Sequence, residues 1–296
     1  MLRLLITFFM CIFLNASAQT VKQNYPLTDE PIDVVIVTHP KDKDTLEECI
    51  EGLKKNGKNF RRFIIVSSEK LSENAEWVDE KDFPFSKEDV ALKIARGSSR
   101  KAAVFFKGHY TPGWYYQQLL KLYSVFLIPG ISSNVLVVDS DTIFMNPVEF
   151  MNEQNGGLFC VGTKRVMPAY FAHAARLVPG YKRINPEVYS VCHHMLFQRP
   201  ILEDLFRVVE EYHGVPFWEA FCQCVDKKKN SGASEFEIYY NFALTHTDQV
   251  AIRELKWKNS SEIGQKDQFE KNGFHYVSFH TYMRKKIPPI FRLINK

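Results

Sequence analysis

The amino-acid sequence predicts an α/β fold in which a mostly parallel central sheet is flanked by helices. Three short, continuous apolar runs rich in β-branched residues, 33–38, 63–66 and 134–138, are typical of strands buried on both faces. A more polar stretch of helical character, 46–55, separates the first two runs. Strand, helix and strand in this order form a βαβ unit, and such units build parallel sheets.

The remaining helices and strands are predicted from caps, turn residues and apolar periodicity. Ser86 and Asp89 have the spacing of a capping box, and Gly97 ends the helix that begins there. Pro129 and Gly130 end a nearly apolar helix. Helices are predicted over 87–96, 113–127, 200–212 and 234–244, and strands over 158–161, 191–197 and 274–280.

Composition excludes several classes of protein. With 45% hydrophobic and 24% charged residues, the chain is too apolar to be disordered. The net charge is +4 and the basic residues are scattered, so no nucleic-acid partner is expected. Because the sequence contains no repeats and no linker rich in glycine, serine or proline, one domain is predicted over 19–296.

Residues 1–18 have the pattern of a secretory signal peptide. Arg3 precedes the apolar run 4–14, and Ala16 and Ala18 place cleavage before Gln19. The run is shorter than the roughly 20 residues that a spanning helix needs, and a short uncleaved anchor is the alternative. The mature chain is therefore expected to have no stable membrane span. It is expected to be exported, either to the periplasm or medium or to the ER–Golgi lumen.

Asp139, Ser140 and Asp141 directly follow the third predicted strand. Open α/β sheets bind ligands at the carboxyl ends of their strands. In extended chain, alternate residues point the same way, so both carboxylates can hold one hard cation. Such an ion would neutralise a diphosphate and polarise its leaving oxygen. The alternative is a turn in which the two carboxylates accept hydrogen bonds from nearby backbone amides.

The segment 135–144 resembles the Asp-x-Asp motif of GT-A-fold glycosyltransferases. Around it, the chain is similar to a poorly characterised, bacterial-type branch of these enzymes. The similarity runs from about Ile32 to Lys286 and includes an aromatic and glutamine-rich helix start, a His-His strand and a Ser-Glu-Phe-Glu helix start. These three segments are 113–118, 193–197 and 234–237.

This resemblance implies a GT-A-like single domain with a Rossmann-like sheet. It implies a hexosyltransferase-type enzyme that moves a sugar from a nucleotide-diphosphate donor with the help of Mn²⁺ or Mg²⁺. The half at about 30–150 would bind the nucleotide, and the half at 151–296 would shape the acceptor pocket. The acceptor itself does not follow from the resemblance and is a carbohydrate, a lipid or a protein.

Enzymes of this kind often take a third metal ligand, commonly histidine, near the C-terminus. Along the predicted strand 274–280, His275 shares an apolar face with Val277 and Phe279, whereas His280 shares the more polar face with Ser278. His280 is therefore expected to join Asp139 and Asp141 as a ligand. A buried, hydrogen-bonded structural histidine is the alternative.

The donor site is expected to draw on several parts of the chain. Gln117 and Lys121 lie four apart on one face of an otherwise apolar helix. The end of the first strand is where a base or ribose docks in this fold, and the basic C-terminal segment could hold the diphosphate. The expected donor contacts are Thr38, His39, Gln117, Lys121, Ser140, Arg284 and Lys285. The structural alternatives are a solvent-facing helix stripe, a strand-ending turn and a solvated basic tail.

The acceptor side offers two acids and two histidines. Ser234 and Glu237 have capping-box spacing, which gives Glu237 a structural role, whereas Glu235 is freer to contact a sugar hydroxyl. By resemblance, an acid at this helix start contacts the acceptor or acts as the base, so both glutamates are catalytic candidates. His193 and His194 point to opposite faces of a strand, so at most one lines the acceptor pocket.

Two other classes of function compete with the transferase. Asp139-x-Asp141 also resembles the nucleophile motif of haloacid-dehalogenase-type phosphatases, but Ile143 stands where those enzymes have Thr or Val, and no later Asp-Asp pair follows. The second competitor is a glycosyltransferase-like module that binds a carbohydrate or nucleotide sugar without catalysis.

Overall fold

A five-stranded sheet lies at the centre of the part of the chain that the computed structural model describes, residues 22–106, 112–163, 167–229, 231–280 and 283. In chain order, the strands are β1 (Ile32–Val37), β2 (Phe60–Ser67), β3 (Glu76–Asp79), β4 (Asn134–Asp139), β5 (Thr142–Phe144), β6 (Leu158–Cys160), β7 (His194–Gln198), β8 (Ala251–Arg253), β9 (Trp257–Asn259) and β10 (Tyr276–Ser278). The central sheet has the order β3-β2-β1-β4-β7. Its first four strands are parallel and β7 is antiparallel to β4, which confirms the predicted mostly parallel sheet.

Helices cover both faces of this sheet. They are α1 (Lys43–Asn56), α2 (Lys87–Ile94), α3 (Ser99–Phe106), α4 (Gly113–Leu127), α5 (Pro168–Leu177), α6 (Arg199–His213), α7 (Phe217–Gln223), α8 (Glu235–His246) and α9 (Lys266–Lys271). Val35 of β1 belongs to the apolar core that contains α4, α6 and α8, whereas Ile36 belongs to the core on the α1 side. Because successive strand residues point to opposite faces, an uninterrupted apolar strand serves both cores.

Several helix ends follow the predicted caps. Ser86 and Asp89 form the complete capping box of α2, and Gly97 beyond its end has φ +77°. Gly214 ends α6 in the left-handed conformation with φ +67°. A φ in this region is strained for residues with a Cβ, so glycine suits both helix ends.

A small sheet brings the C-terminal part of the described chain to the end of β4. β10 pairs antiparallel with β5 and parallel with β9. β10 is shorter than the strand predicted over 274–280. Tyr276 and Ser278, which were predicted to share a face with His280, are both fully buried. The Phe279 N–H donates to the Asp141 carbonyl at 2.8 Å, which fixes residues 279–280 beside the Asp-x-Asp segment.

The structure adds elements that the sequence did not predict, namely β3, β5, β8, β9, α3, α5, α7 and α9. Within the described ranges, no helix combines the length and the apolar character needed to cross a bilayer. The predicted signal peptide, 1–18, lies outside the described residues.

Candidate functional site

The carboxyl ends of β1 and β4 lie side by side. Val37 and Asp139 are register partners in the parallel pair. One residue further on, the Thr38 hydroxyl donates to the Ser140 hydroxyl at 2.9 Å. The two strand ends that the sequence marked as ligand-binding are therefore joined by a buried hydrogen bond, and the Asp-x-Asp segment begins at the edge where α/β sheets bind ligands.

Asp139 is held by two side chains from distant parts of the chain. Lys121 Nζ donates to its Oδ1 at 2.6 Å, and His193 Nδ1 lies 3.2 Å from its Oδ2. Burial would raise the pKa of the Asp139 carboxyl, but the nearby Lys121 ammonium and His193 outweigh burial and hold this pKa well below its usual range. Asp139 is therefore a fixed negative charge.

Lys121 bridges Asp139 to a second carboxylate. Its Nζ also donates to Glu235 Oε1 at 2.7 Å, and the side chain is only 5% exposed. Burial would lower the pKa of Lys121, but the two carboxylates outweigh it and raise this pKa. The ammonium also lies 4.7 Å from the centroid of the Phe236 ring. The alternative of a solvent-facing helix stripe is therefore wrong for Lys121.

Glu235 is the first residue of α8, and Ser234 caps that helix. The Glu235 N–H donates to Gln118 Oε1 at 3.0 Å, so α4 fixes the start of α8 as well as binding its first side chain. Glu235 is 2% exposed. Burial raises the pKa of its carboxyl, the charge of Asp139 adds to the rise, and Lys121 opposes it.

Asp141 and His280 complete the arrangement. His280 Nδ1 lies 2.9 Å from Asp141 Oδ2, and the His280 and His193 rings have their centroids 4.7 Å apart. Asp141 Oδ1 is buried and has no hydrogen-bond partner among the residues that the structure describes. We call the set defined by Lys121, Asp139, Asp141, His193, Glu235 and His280 the strand-end cluster.

The strand-end cluster is rich in the oxygen ligands that hard cations prefer. A buried carboxylate oxygen without a partner is costly, and an ion would satisfy Asp141 Oδ1. The donor set therefore fits Mn²⁺ or Mg²⁺. Among the described residues, no group of three or more His, Cys, Asp or Glu side chains is already arranged to hold a metal ion.

Comparison with known proteins places the chain in a family. Residues 25–272 match the profile described as "Family of unknown function (DUF6492)". The chain belongs to this family. No curated protein matches it.

Among solved structures, this DUF6492 chain is similar to the WbbM bifunctional glycosyltransferase in its apo form. The two are 15% identical, with a TM-score of 0.39. The similarity covers 88% of this chain and 47% of the other, so the DUF6492 chain spans about half the length of that structure.

The other residues expected to contact the donor do not all lie at the strand ends in this DUF6492 structure. Gln117 Nε2 donates to the Val37 carbonyl at 3.3 Å, which places it at the end of β1. His39 Nδ1 accepts from the Lys41 N–H at 3.2 Å and caps a short 3₁₀ turn, as the structural alternative proposed. Burial lowers the pKa of His39. Arg284 and Lys285 lie outside the described residues.

The two neighbouring histidines lie in different places, but not by strand alternation, because β7 begins at His194 and His193 precedes it. His193 has φ +66° and reaches the strand-end cluster, whereas His194 begins β7 and packs against the rings of Phe144, Phe150 and Tyr276. Burial, with the charge of Arg253, holds the pKa of His194 well below its usual value. His194 is a core residue in this structure and does not line a pocket at the strand ends.

Glu237 does not complete the predicted capping box. Its N–H donates to the Ser234 hydroxyl at 3.3 Å, which is half of the motif. Its carboxylate turns away from the helix start and accepts from the Ser190 N–H at 2.8 Å and from Asn241 Nδ2 at 3.2 Å. The prediction that Glu237 serves the cap is therefore wrong for its side chain.

Sequence reasoning missed two residues that support the cluster. Asn259 at the end of β9 places its Oδ1 3.0 Å from His193 Nε2, and Gln118 holds the Glu235 backbone. Asn259 comes from a short, exposed strand without apolar alternation, so no sequence pattern marked it. Gln118 is a polar residue in an otherwise apolar predicted helix, and this pattern could have marked it as a functional candidate.

Proposed function

We propose that this chain is a metal-dependent glycosyltransferase that moves a sugar from a nucleotide-diphosphate donor to an acceptor. The observation that carries the proposal is the buried Oδ1 of Asp141, which has no hydrogen-bond partner among the described residues. Asp141 lies two residues after Asp139, at the carboxyl end of β4. A buried carboxylate oxygen in that state is suited to a ligand with positive charge, and this sheet edge is where α/β proteins bind nucleotides.

The residues that would hold the cation are Asp141, with Asp139 and His280 beside it. Both oxygens of Asp139 already have partners, but a carboxylate has about four lone-pair sites and can accept further bonds. When bound, Mn²⁺ or Mg²⁺ would supply positive charge to the leaving diphosphate.

Glu235 is the group suited to the acceptor hydroxyl. Burial raises the pKa of its carboxyl, which makes it a better proton acceptor than an exposed glutamate. Lys121 orients this carboxylate through a 2.7 Å bond. In the proposed reaction, Glu235 contacts the acceptor hydroxyl, and Lys121 is a positioning residue that links Glu235 to Asp139.

A non-catalytic module that binds a nucleotide sugar is the second candidate. It is favoured by one observation: the Lys121 ammonium pairs with an oxygen of both Asp139 and Glu235, so its positive charge offsets part of the negative charge of these two acids. Such a module would bind the donor without breaking it.

The test is a thermal-shift screen of nucleotide-diphosphate sugars with Mn²⁺ or with EDTA, followed by an assay for the released nucleoside diphosphate. We expect a donor to raise the unfolding temperature of the protein by several degrees in the presence of Mn²⁺ but not in the presence of EDTA. We also expect the protein to hydrolyse this donor slowly. Asp141→Asn should lose both effects. Asp248→Asn, at a carboxylate that is 84% exposed, is the control and should keep them.

Three outcomes are informative. Donor binding of equal strength in Mn²⁺ and in EDTA contradicts the proposal that a metal ion holds the donor. A metal-dependent shift without donor hydrolysis or transfer favours the binding module. The absence of a shift with every donor contradicts the proposal as a whole.

A further inference from the structure

Helix α3 lies at the surface of the molecule and exposes large apolar side chains. On one side it packs through Ala102 and the partly buried Phe105 against a small apolar cluster at the end of α2. On its other side, Val104 is 61% exposed and Phe106 is 43% exposed. Isolated apolar residues are common on protein surfaces, but neighbouring ones on one eight-residue helix form a patch, and apolar patches mark interaction sites.

The chain around α3 is basic and has no acidic residue. The stretch 90–138 contains neither aspartate nor glutamate. Its first four basic residues are Lys93, Arg96, Arg100 and Lys101. Lys93 pairs with Glu219 at 2.7 Å, whereas the other three are exposed and form no ion pair with a described residue. The exposed side of α3 therefore carries positive charge that nearby acids do not offset.

The positive charges and the apolar side chains share one face of α3. Val104 follows Arg100 by four residues and Lys101 by three, and both spacings bring side chains together on a helix. Arg96 lies in the turn that leads into the helix, and Phe106 ends it. We call Arg96, Arg100, Lys101, Val104 and Phe106 the α3 surface.

The backbone at Arg96 supports a role for its charge. Its φ is +55°, in the left-handed region that disfavours residues with a Cβ, and Gly97 beside it has φ +77°. Glycine or asparagine would occupy the position of Arg96 with less strain. The arginine thus keeps a guanidinium at the α3 surface where a neutral residue would suit the turn better.

We propose that the α3 surface docks the protein onto an anionic lipid bilayer, with Val104 and Phe106 inserted where the headgroups meet the acyl chains. Basic residues around exposed apolar side chains are typical of helices that lie in the membrane interface. Each cation near an anionic leaflet strengthens binding about five-fold. The inference does not depend on the proposed transferase activity.

Charge complementarity favours this occupant over segments of the chain itself. The residues outside the described ranges contain no aspartate or glutamate, so none of them offers negative charge to the α3 surface. A nucleic acid would match the cations but would leave Val104 and Phe106 without an apolar partner. An anionic bilayer supplies both the negative charge and the apolar interior.

The test is co-sedimentation of the full chain with vesicles of phosphatidylcholine alone and with equimolar phosphatidylcholine and phosphatidylglycerol. We expect stronger binding to the mixed vesicles, and we expect added NaCl to weaken it by screening. The apolar run 4–14 and the basic residues 284–286 are present in every variant. Differences between variants therefore report on the α3 surface alone.

Two double variants separate the charges from the apolar side chains. Arg100→Gln/Lys101→Gln should weaken binding to the mixed vesicles about twenty-fold, because two cations are removed. Val104→Ser/Phe106→Ser keeps every charge and should weaken it about ten-fold or more. Because all four positions are exposed, the unfolding temperature should stay unchanged.

Lys55→Gln/Lys58→Gln is the matched control, since it removes the same charge elsewhere. These side chains are 68% and 66% exposed. They lie at the end of α1 and just beyond it, and α1 packs on the opposite face of the central sheet from α2. The control should bind the mixed vesicles as the wild-type chain does.

The proposal is overturned if the wild-type chain binds both kinds of vesicle equally. It is also overturned if the control loses as much binding as Arg100→Gln/Lys101→Gln, because net charge would then be the cause. Unchanged binding by Val104→Ser/Phe106→Ser contradicts the insertion of these side chains. Sedimentation velocity without vesicles tests a second copy as the occupant, and a wild-type dimer that Val104→Ser/Phe106→Ser converts to a monomer overturns the proposal in favour of self-association.

Discussion

Lys121 and Glu235 are 114 residues apart in the chain, and their side chains meet in a buried ion pair of 2.7 Å. The same ammonium bonds Asp139 at 2.6 Å. A single lysine thus ties the first turn of α8 and the end of β4 to the middle of α4. The geometry that brings a proposed cation ligand close to a proposed proton acceptor therefore depends on this side chain.

Removal of the Lys121 charge should destabilise the fold. Lys121→Met leaves the buried Glu235 carboxylate without its counter-ion and leaves Asp139 with His193 beside it, and breaking a buried pair in this way costs about 3–5 kcal/mol. Urea unfolding followed by circular dichroism measures the loss. The double variant Lys121→Met/Glu235→Gln should recover part of it, since one buried charge is removed. A loss below about 1 kcal/mol for Lys121→Met would contradict the bridge.

Substitution of Glu235 should separate chemistry from donor binding. Glu235→Gln keeps an oxygen for Lys121 and the backbone bond to Gln118, so the site should keep its shape. Loss of a general base typically lowers the rate about 10²–10⁴-fold. We expect kcat for sugar transfer to fall by that factor, with metal-dependent donor binding unchanged by calorimetry. Near-normal turnover would remove Glu235 from the reaction.

The protein should lose stability at acidic pH because of His173. This histidine is fully buried on α5, its Nε2 lies 2.9 Å from the Phe221 carbonyl, and burial lowers its pKa from 6.5 to about 4. Below pH 6.5, His173 binds a proton in the unfolded chain but stays neutral in the native chain until the pH approaches 4. The free energy of unfolding should therefore fall by about 3 kcal/mol between pH 6.5 and pH 4. Above pH 6.5 this loss should be absent, because His173 is neutral in both the native and the unfolded chain.

His194, whose pKa is also lowered by burial, adds to the loss in the same direction. His173→Gln should flatten the profile over this range, whatever its stability at pH 7. Urea unfolding at half-unit pH steps measures both slopes. Equal slopes for the two proteins would show that His173 is not kept neutral by its burial.

The core of the fold and the centre of the site were predictable from the sequence because both depend on local patterns. The apolar runs 34–37 of β1 and 135–138 of β4 are uninterrupted, so their burial and parallel pairing followed, and with them the position of Asp139 and Asp141. His280 lies beside Asp141, whereas His275 accepts from the Lys256 N–H, and the role of His280 as a metal ligand stays a prediction.

What could not be predicted depends on contacts between distant segments. Lys121 has the same sequence pattern whether it faces solvent or a buried carboxylate, and the packing of α8 on α4 decides between the two. The Glu237 carboxylate leaves the predicted cap because the Ser190 N–H, 47 residues away in sequence, is a competing donor. Helix α5 begins after Met167, which makes no side-chain cap, so its start lacked a polar signal.

Titration of the protein with Mn²⁺, followed by electron paramagnetic resonance in the presence of a nucleoside diphosphate, tests the central claim most directly. We predict that the wild-type chain binds a single Mn²⁺ whose signal changes when the diphosphate is added. Asp141→Asn should lose this bound ion, and Asp248→Asn should retain it. Equal Mn²⁺ binding by Asp141→Asn and the wild-type chain would contradict the proposed cation site and the transferase that depends on it.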